Sequence, residues 1–202
     1  MYGAIRTVPW ILHAFQTIPF EQLVCLHPAS SYGPGSCGLA TQLFVLSKIP
    51  ELIDTVFIVL HKKPCIFLHW YHHITVLLFC WHSYITESAY GIFFIAMNYS
   101  VHAIMYAYYA LQAMKKVPKS YPAYNITFIQ IAQMFGGTYI VAYAIYYRLY
   151  GNKFYEPGEC GNFESNLAGG AVIYTTYLYL FVEFAFKRFL PGKKKKSEKK
   201  LE

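Results

Sequence analysis

Ile66-Phe67-Leu68-His69-Trp70-Tyr71-His72-His73-Ile74-Thr75-Val76-Leu77-Leu78-Phe79-Cys80 sets three histidines inside an otherwise apolar run. At i, i+3 and i+4, His69, His72 and His73 put three imidazoles on one helix face within little more than a turn. Such a face is costly against lipid, so it is expected to turn toward the interior of a helix bundle. The run extends to Tyr84, long enough to cross a hydrocarbon core that needs roughly 20 helical residues.

Working outward, five more apolar stretches have similar length: Tyr2 to Phe20, Gly38 to Leu60, Ile92 to Met114, Tyr124 to Tyr147 and Leu167 to Phe189. A composition of 56% apolar, 19% aromatic and 13% charged residues over 202 positions departs from that of soluble domains. The expected fold is all-α, a polytopic transmembrane bundle of about six spans within residues 1–190, followed by a basic tail at 191–202. The first stretch contains Arg6 and Pro9 and begins almost at the first residue, which suggests missing upstream sequence.

Charge supplies an orientation. The net charge of +7 is not gathered on a nucleic-acid-binding motif but distributed between spans. Lys62 and Lys63 follow the second span, Lys115, Lys116 and Lys119 the fourth, and Lys187, Arg188 and the tail lysines the sixth. These are alternate connections, so the positive-inside rule places them and the C-terminus in the cytosol. The ending Lys199-Lys200-Leu201-Glu202 resembles the dilysine retrieval pattern of endoplasmic reticulum membrane proteins. Cys25 and Cys160 then fall on the opposite, oxidising side, each near the membrane end of a long loop, where a disulfide between them is expected.

Further polar residues lie within the spans. Lys48, Glu51 and Asp54 follow one another at three-residue steps beside Pro50, and Lys48 and Glu51 are spaced to pair. The fourth span carries Asn98, His102, Tyr106 and Tyr109, and the fifth Thr127, Gln130 and Gln133. Four spans therefore offer polar side chains to one buried site.

Three chemistries compete for it. H-x-x-H-H boxes occur in membrane di-iron desaturases and hydroxylases, but the eight histidines here supply only one such box. A single-metal site from His69, His72, His73 and His102 would want a carboxylate from Glu51 or Asp54. A proton-coupled transporter would use the same residues as a relay, although no inverted repeat is visible. Acyl transfer by imidazole, with amide side chains stabilising an oxyanion, is the third.

Four ordered motifs favour the third reading. They are Lys48-Ile49-Pro50-Glu51-Leu52-Ile53-Asp54-Thr55, His69-Trp70-Tyr71-His72-His73, Met97-Asn98-Tyr99-Ser100-Val101-His102-Ala103-Ile104-Met105-Tyr106, and Thr127-Phe128-Ile129-Gln130-Ile131-Ala132-Gln133. With them the chain resembles the very-long-chain fatty-acid elongases, the membrane 3-ketoacyl-CoA synthases of the endoplasmic reticulum. The Trp70-Tyr71 and Asn98-Tyr99 pairs resemble the branch acting on saturated and monounsaturated long chains. That family has seven spans, so the resemblance implies that the first is missing here.

The resemblance implies condensation of a long-chain acyl-CoA with malonyl-CoA to a 3-ketoacyl-CoA, with release of carbon dioxide and CoA. It implies no cofactor or metal, and association with the other enzymes of the elongation cycle. On this reading His72 or His102 attacks the thioester, and His69 and His73 complete a hydrogen-bonded cluster. Asn98, Gln130 and Gln133 fix tautomers or stabilise oxyanions, while Lys48, Glu51, Asp54 and Tyr106 contact substrate. Lys62, Lys63, Lys115 and Lys116 are candidates for the CoA phosphates. Cys65 and Cys80 are the rival nucleophiles.

Overall fold

A computed structural model describes residues 1–116, 124–150 and 160–189. Those residues form eight α-helices: α1 (Tyr2–Thr17), α2 (Phe20–Leu23), α3 (Gly35–Glu51), α4 (Ile53–Leu60), α5 (Phe67–Ile85), α6 (Gly91–Ala113), α7 (Tyr124–Tyr150) and α8 (Glu164–Phe189). A short 3-10 turn at Pro28–Ser30 precedes α3. The tail at 191–202, with its dilysine ending, and Lys119 lie outside the described residues.

The stretch from Gly38 to Leu60 is two helices rather than one. Pro50 has no N–H to give the Leu46 carbonyl, and the backbone turns through three-residue bonds, Leu52 N–H to Ile49 carbonyl at 3.1 Å and Thr55 N–H to Leu52 carbonyl at 3.1 Å. Where α4 and α6 end, Lys62 and Lys115 take positive φ, 53° and 57°. The following N–H groups reach back to the Ile58 and Leu111 carbonyls, which satisfies carbonyls left over by the helix ends.

The helices close on themselves. α7 packs on α8, α8 on α5, α5 on α3, α3 on α1, α1 on α6, and α6 on α7. A ring of six rods results, with α4 extending α3. Outward faces are greasy: Phe128, Phe135 and Tyr139 on α7, and Val172, Tyr179 and Phe186 on α8, are exposed. Both α7 and α8 are long and apolar enough to cross a membrane. The other rods do not pass on length and composition alone. The α3 rod is cut at Leu52, and α5 and α6 carry inward-facing histidines and Asn98 that lower their hydropathy.

At one end of the ring the connections are tied together. Cys25 and Cys160 form a disulfide, and Gly161 N–H donates to the Cys25 carbonyl at 2.9 Å. Buried Asn162 donates to the Val24 carbonyl at 2.6 Å and accepts from Ala89 N–H at 3.1 Å, so three separate connections meet.

The α7–α8 seam depends on a glycine. A methyl group on Gly137 would sit 2.1 Å from the Tyr174 ring, which is itself stacked on Phe94 at 4.5 Å and has no room to retreat. Gly137→Ala is expected to cost ~1–3 kcal/mol by overpacking, read as a lowered melting temperature in detergent. Gly136→Ala meets only the flexible Met97 sulfur at 3.3 Å and should melt close to the parent.

Candidate functional site

Inside the ring, α5 presents its histidines toward α4, α6 and α8. His69, His72, His73 and His102 line one cavity of about 550 Å³ together with Asp54, Tyr106 and Gln130. The helix spacing explains the cluster: His69 and His73 are one turn apart with ring centroids at 4.4 Å, and His72 sits beside them at 5.5 Å from His73.

The four imidazoles are held differently. Nε2 of His69 lies 3.0 Å from Thr55 Oγ1, the first turn of α4 reaching across to α5. His73 keeps a buried Nδ1 with no hydrogen-bond partner among the described residues. The rings of His72 and His102 have no hydrogen bond to their nitrogens among the described residues and are positioned by aromatic neighbours, Tyr177 at 4.8 Å and Tyr106 at 5.5 Å. A nitrogen free to meet a carbonyl is what nucleophilic or general-base chemistry requires.

Next to the histidines is a buried ion pair. Lys48, 2% exposed, lies 2.6 Å from Glu51 Oε1, donates to Asn98 Oδ1 at 3.3 Å and rests 4.1 Å over the Phe44 ring. Its charge is thus engaged within the protein, and Lys48 and Glu51 are not among the residues lining the cavity. Asp54 accepts from the Tyr106 hydroxyl at 3.3 Å, and Gln130 points its amide at the Met105 sulfur at 3.4 Å. Gln133 is buried but lines neither cavity, and Lys62, Lys63, Lys115 and Lys116 are exposed at helix ends.

A second cavity, about 670 Å³, lies on the other side of the Lys48–Asn98 layer. Thr41, Phe44, Val45, Phe79, Ile95 and Tyr174 give it a largely apolar wall, and it reaches the tied end of the ring at Tyr32 and Gly33. Cys80 lines this second cavity, whereas Cys65 is exposed before α5. No three His, Cys, Asp or Glu side chains converge as a metal-ligand set among the described residues.

The sequence of this chain also has relatives. The family described as "ELO: GNS1/SUR4 family" matches residues 1–198. The chain belongs to that family. "Very long chain fatty acid elongase 6" of Drosophila melanogaster is 42% identical over 191 residues, covering 94% of this chain and 59% of that protein. The protein of the same name in Gallus gallus is 42% identical over 201 residues, covering 98% of this chain and 71% of its own length. "Fatty acid elongase 3" of Trypanosoma brucei is 39% identical over 221 residues, covering 98% and 71%. No solved structure matches the chain.

In this ELO family chain the sixth rod contributes more than its sequence suggests. Phe181, Phe184 and Arg188 of α8 line the histidine cavity, and Tyr177 lines the apolar one while touching His72. Their signal is a stripe: Tyr174, Tyr177, Phe181, Phe184 and Arg188 recur at alternating steps of three and four, the spacing of a single inward face. Thr55, the partner of His69, is the other residue that residue-type reasoning passes over.

Proposed function

We propose that the chain condenses a long-chain acyl-CoA with malonyl-CoA, giving a 3-ketoacyl-CoA, carbon dioxide and free CoA. The observation that carries this is the pair of cavities either side of the Lys48–Asn98 layer, a polar one lined by the histidines and an apolar one, in a chain of the ELO family. The apolar cavity suits an acyl tail, and the polar one a thioester and its carrier.

In the proposed first step a ring nitrogen of His72 or His102 attacks the thioester carbonyl. The C–S bond breaks, CoA leaves as the thiol after taking the imidazole proton, and the acyl group rests on nitrogen. Malonyl-CoA then loses carbon dioxide, the carbanion left at its α-carbon attacks the acyl-imidazole carbonyl, the C–N bond breaks, and the departing imidazole takes up one proton, ultimately from solvent, to return as neutral histidine. The enclosing ring of helices keeps water from the reactive acyl group. Gln130 is within the same cavity as a donor to a developing oxyanion through the amide N–H not turned to Met105, while Tyr106, whose hydroxyl proton goes to Asp54, lines the wall beside it. The Lys48–Glu51–Asn98 network holds α3 against α6.

No metal or redox group enters this scheme. The exposed lysines at the ends of α4 and α6, Lys62, Lys63, Lys115 and Lys116, are suited to the phosphates of CoA. We place the chain in the endoplasmic reticulum membrane as a multi-pass protein with its C-terminus in the cytosol, beside the reductases and dehydratase that a 3-ketoacyl product needs. Saturated and monounsaturated long chains are the proposed substrates.

Membranes carrying the chain, supplied with labelled malonyl-CoA and acyl-CoAs of graded length, should form 3-ketoacyl-CoA. Absence of that product, with acyl-CoA oxidised instead, would contradict the proposal. Thr41→Phe adds bulk to the apolar cavity and is expected to lower kcat/KM for the longest substrate by ~10-fold while sparing shorter ones.

A further inference from the structure

The seam between α5 and α8 carries four hydroxyls at the level of the histidines. Tyr71 Oη lies 3.2 Å from Thr176 Oγ1, and Thr75 Oγ1 donates to the Tyr71 carbonyl at 2.6 Å. Tyr177 Oη lies 2.7 Å from Thr75 Oγ1 and donates to the His72 carbonyl at 3.2 Å. A hydroxyl has one proton, and that of Thr75 goes to the Tyr71 carbonyl. The Tyr177 proton is therefore shared between Thr75 and the His72 carbonyl.

Tyr177 is 2% exposed, and its ring lies against the His72 imidazole at an interplanar angle of 46°. An imidazole that does chemistry usually has its orientation set by a hydrogen bond to its second nitrogen. His72 has no such bond among the described residues. What fixes it is the packed ring of Tyr177 and the hydrogen bond from Tyr177 to its own backbone, made from a different helix.

We infer that Tyr177 is the positioning residue for His72: its hydroxyl pins the turn of α5 that carries the imidazole, and its ring sets the tilt of that imidazole. The inference rests on the part assigned to His72 in acyl transfer. Tyr177 also lines the apolar cavity, so the same side chain stands where that cavity meets the histidines. Movement of the ring would displace the imidazole and open a route for water to an acyl group on it.

Two variants separate these contributions. Tyr177→Phe keeps the ring and removes both hydrogen bonds, and Tyr177→Leu removes the ring as well. The rate at which diethyl pyrocarbonate modifies each histidine, followed by mass spectrometry on the full chain in detergent, reports ring position without turnover. Modification of His72 is expected to rise severalfold in Tyr177→Phe and further in Tyr177→Leu, with His69 and His102 at their parental rates.

In assays, kcat should fall ~10- to 100-fold with KM for acyl-CoA nearly unchanged, and hydrolysis of the thioester should rise relative to condensation. Parental His72 reactivity and kcat in both variants would overturn the inference, as would an equal rise at every histidine, which reports loosening of the whole bundle. If Tyr177 protects His72 but His72→Ala still condenses at the parental rate, the part assigned to His72 fails and the contact is only structural; if the parent chain forms no 3-ketoacyl-CoA at all, it is the proposed function that fails.

Discussion

His72→Ala is expected to lower the condensation rate by ~10³-fold or more while the protein still inserts and melts near the parental temperature. His72 offers ring nitrogens to the cavity without a hydrogen-bond partner among the described residues, so its removal deletes a reacting group rather than a structural bond. His102→Ala should produce a loss of similar order, because in the proposed scheme this other open imidazole serves the second substrate or the same thioester. His69→Ala should cost less, because its Nε2 is already engaged by Thr55. Rates measured with matched amounts of folded protein check this ranking, and a loss confined to Cys65→Ser or Cys80→Ser would reverse it.

The largest effect on stability is expected from Lys48→Met, at ~3–5 kcal/mol. Lys48 and Glu51 are paired at 2.6 Å with little solvent, and Oε2 of Glu51 is buried with no hydrogen-bond partner among the described residues. Removing the cation leaves a carboxylate in a low-dielectric interior, the costly half of any buried ion pair. Lys48→Met combined with Glu51→Gln should recover much of the loss, since the double change removes both charges. Thermal unfolding in one detergent gives both values, and a single variant no less stable than the double would show that the pair is not the source.

Much of this site is legible in sequence because lipid makes polar residues conspicuous. His69, His72 and His73 stand out only because Ile74, Val76, Leu77 and Leu78 surround them, and the i, i+3 spacing of Lys48 and Glu51 is the contact the structure contains. The break at Leu52 was only partly readable: Pro50 marks a weakened helix, but where the backbone bends depends on the bonds Leu52 and Thr55 make instead.

The part played by α8 was hidden for a different reason. Tyrosine is as common in packing and at membrane interfaces as in a site, so Tyr177 and its neighbours carry no chemical signal until the ring of helices closes. The order of that ring, in which α1 lies between α3 and α6, is a matter of long-range contacts that no local pattern encodes. Six spans are expected from the sequence; among the six rods of the described residues, α7 and α8 qualify as crossings on length and composition alone.

The central claim is an acyl group carried on histidine. Mixing the chain with a labelled acyl-CoA in the absence of malonyl-CoA, quenching rapidly and locating the label by mass spectrometry tests it directly. The predicted result is label on His72 or His102 that disappears into 3-ketoacyl-CoA when malonyl-CoA is added. Label on Cys80 or Cys65, or condensation at full rate with no labelled protein at any time, would contradict it.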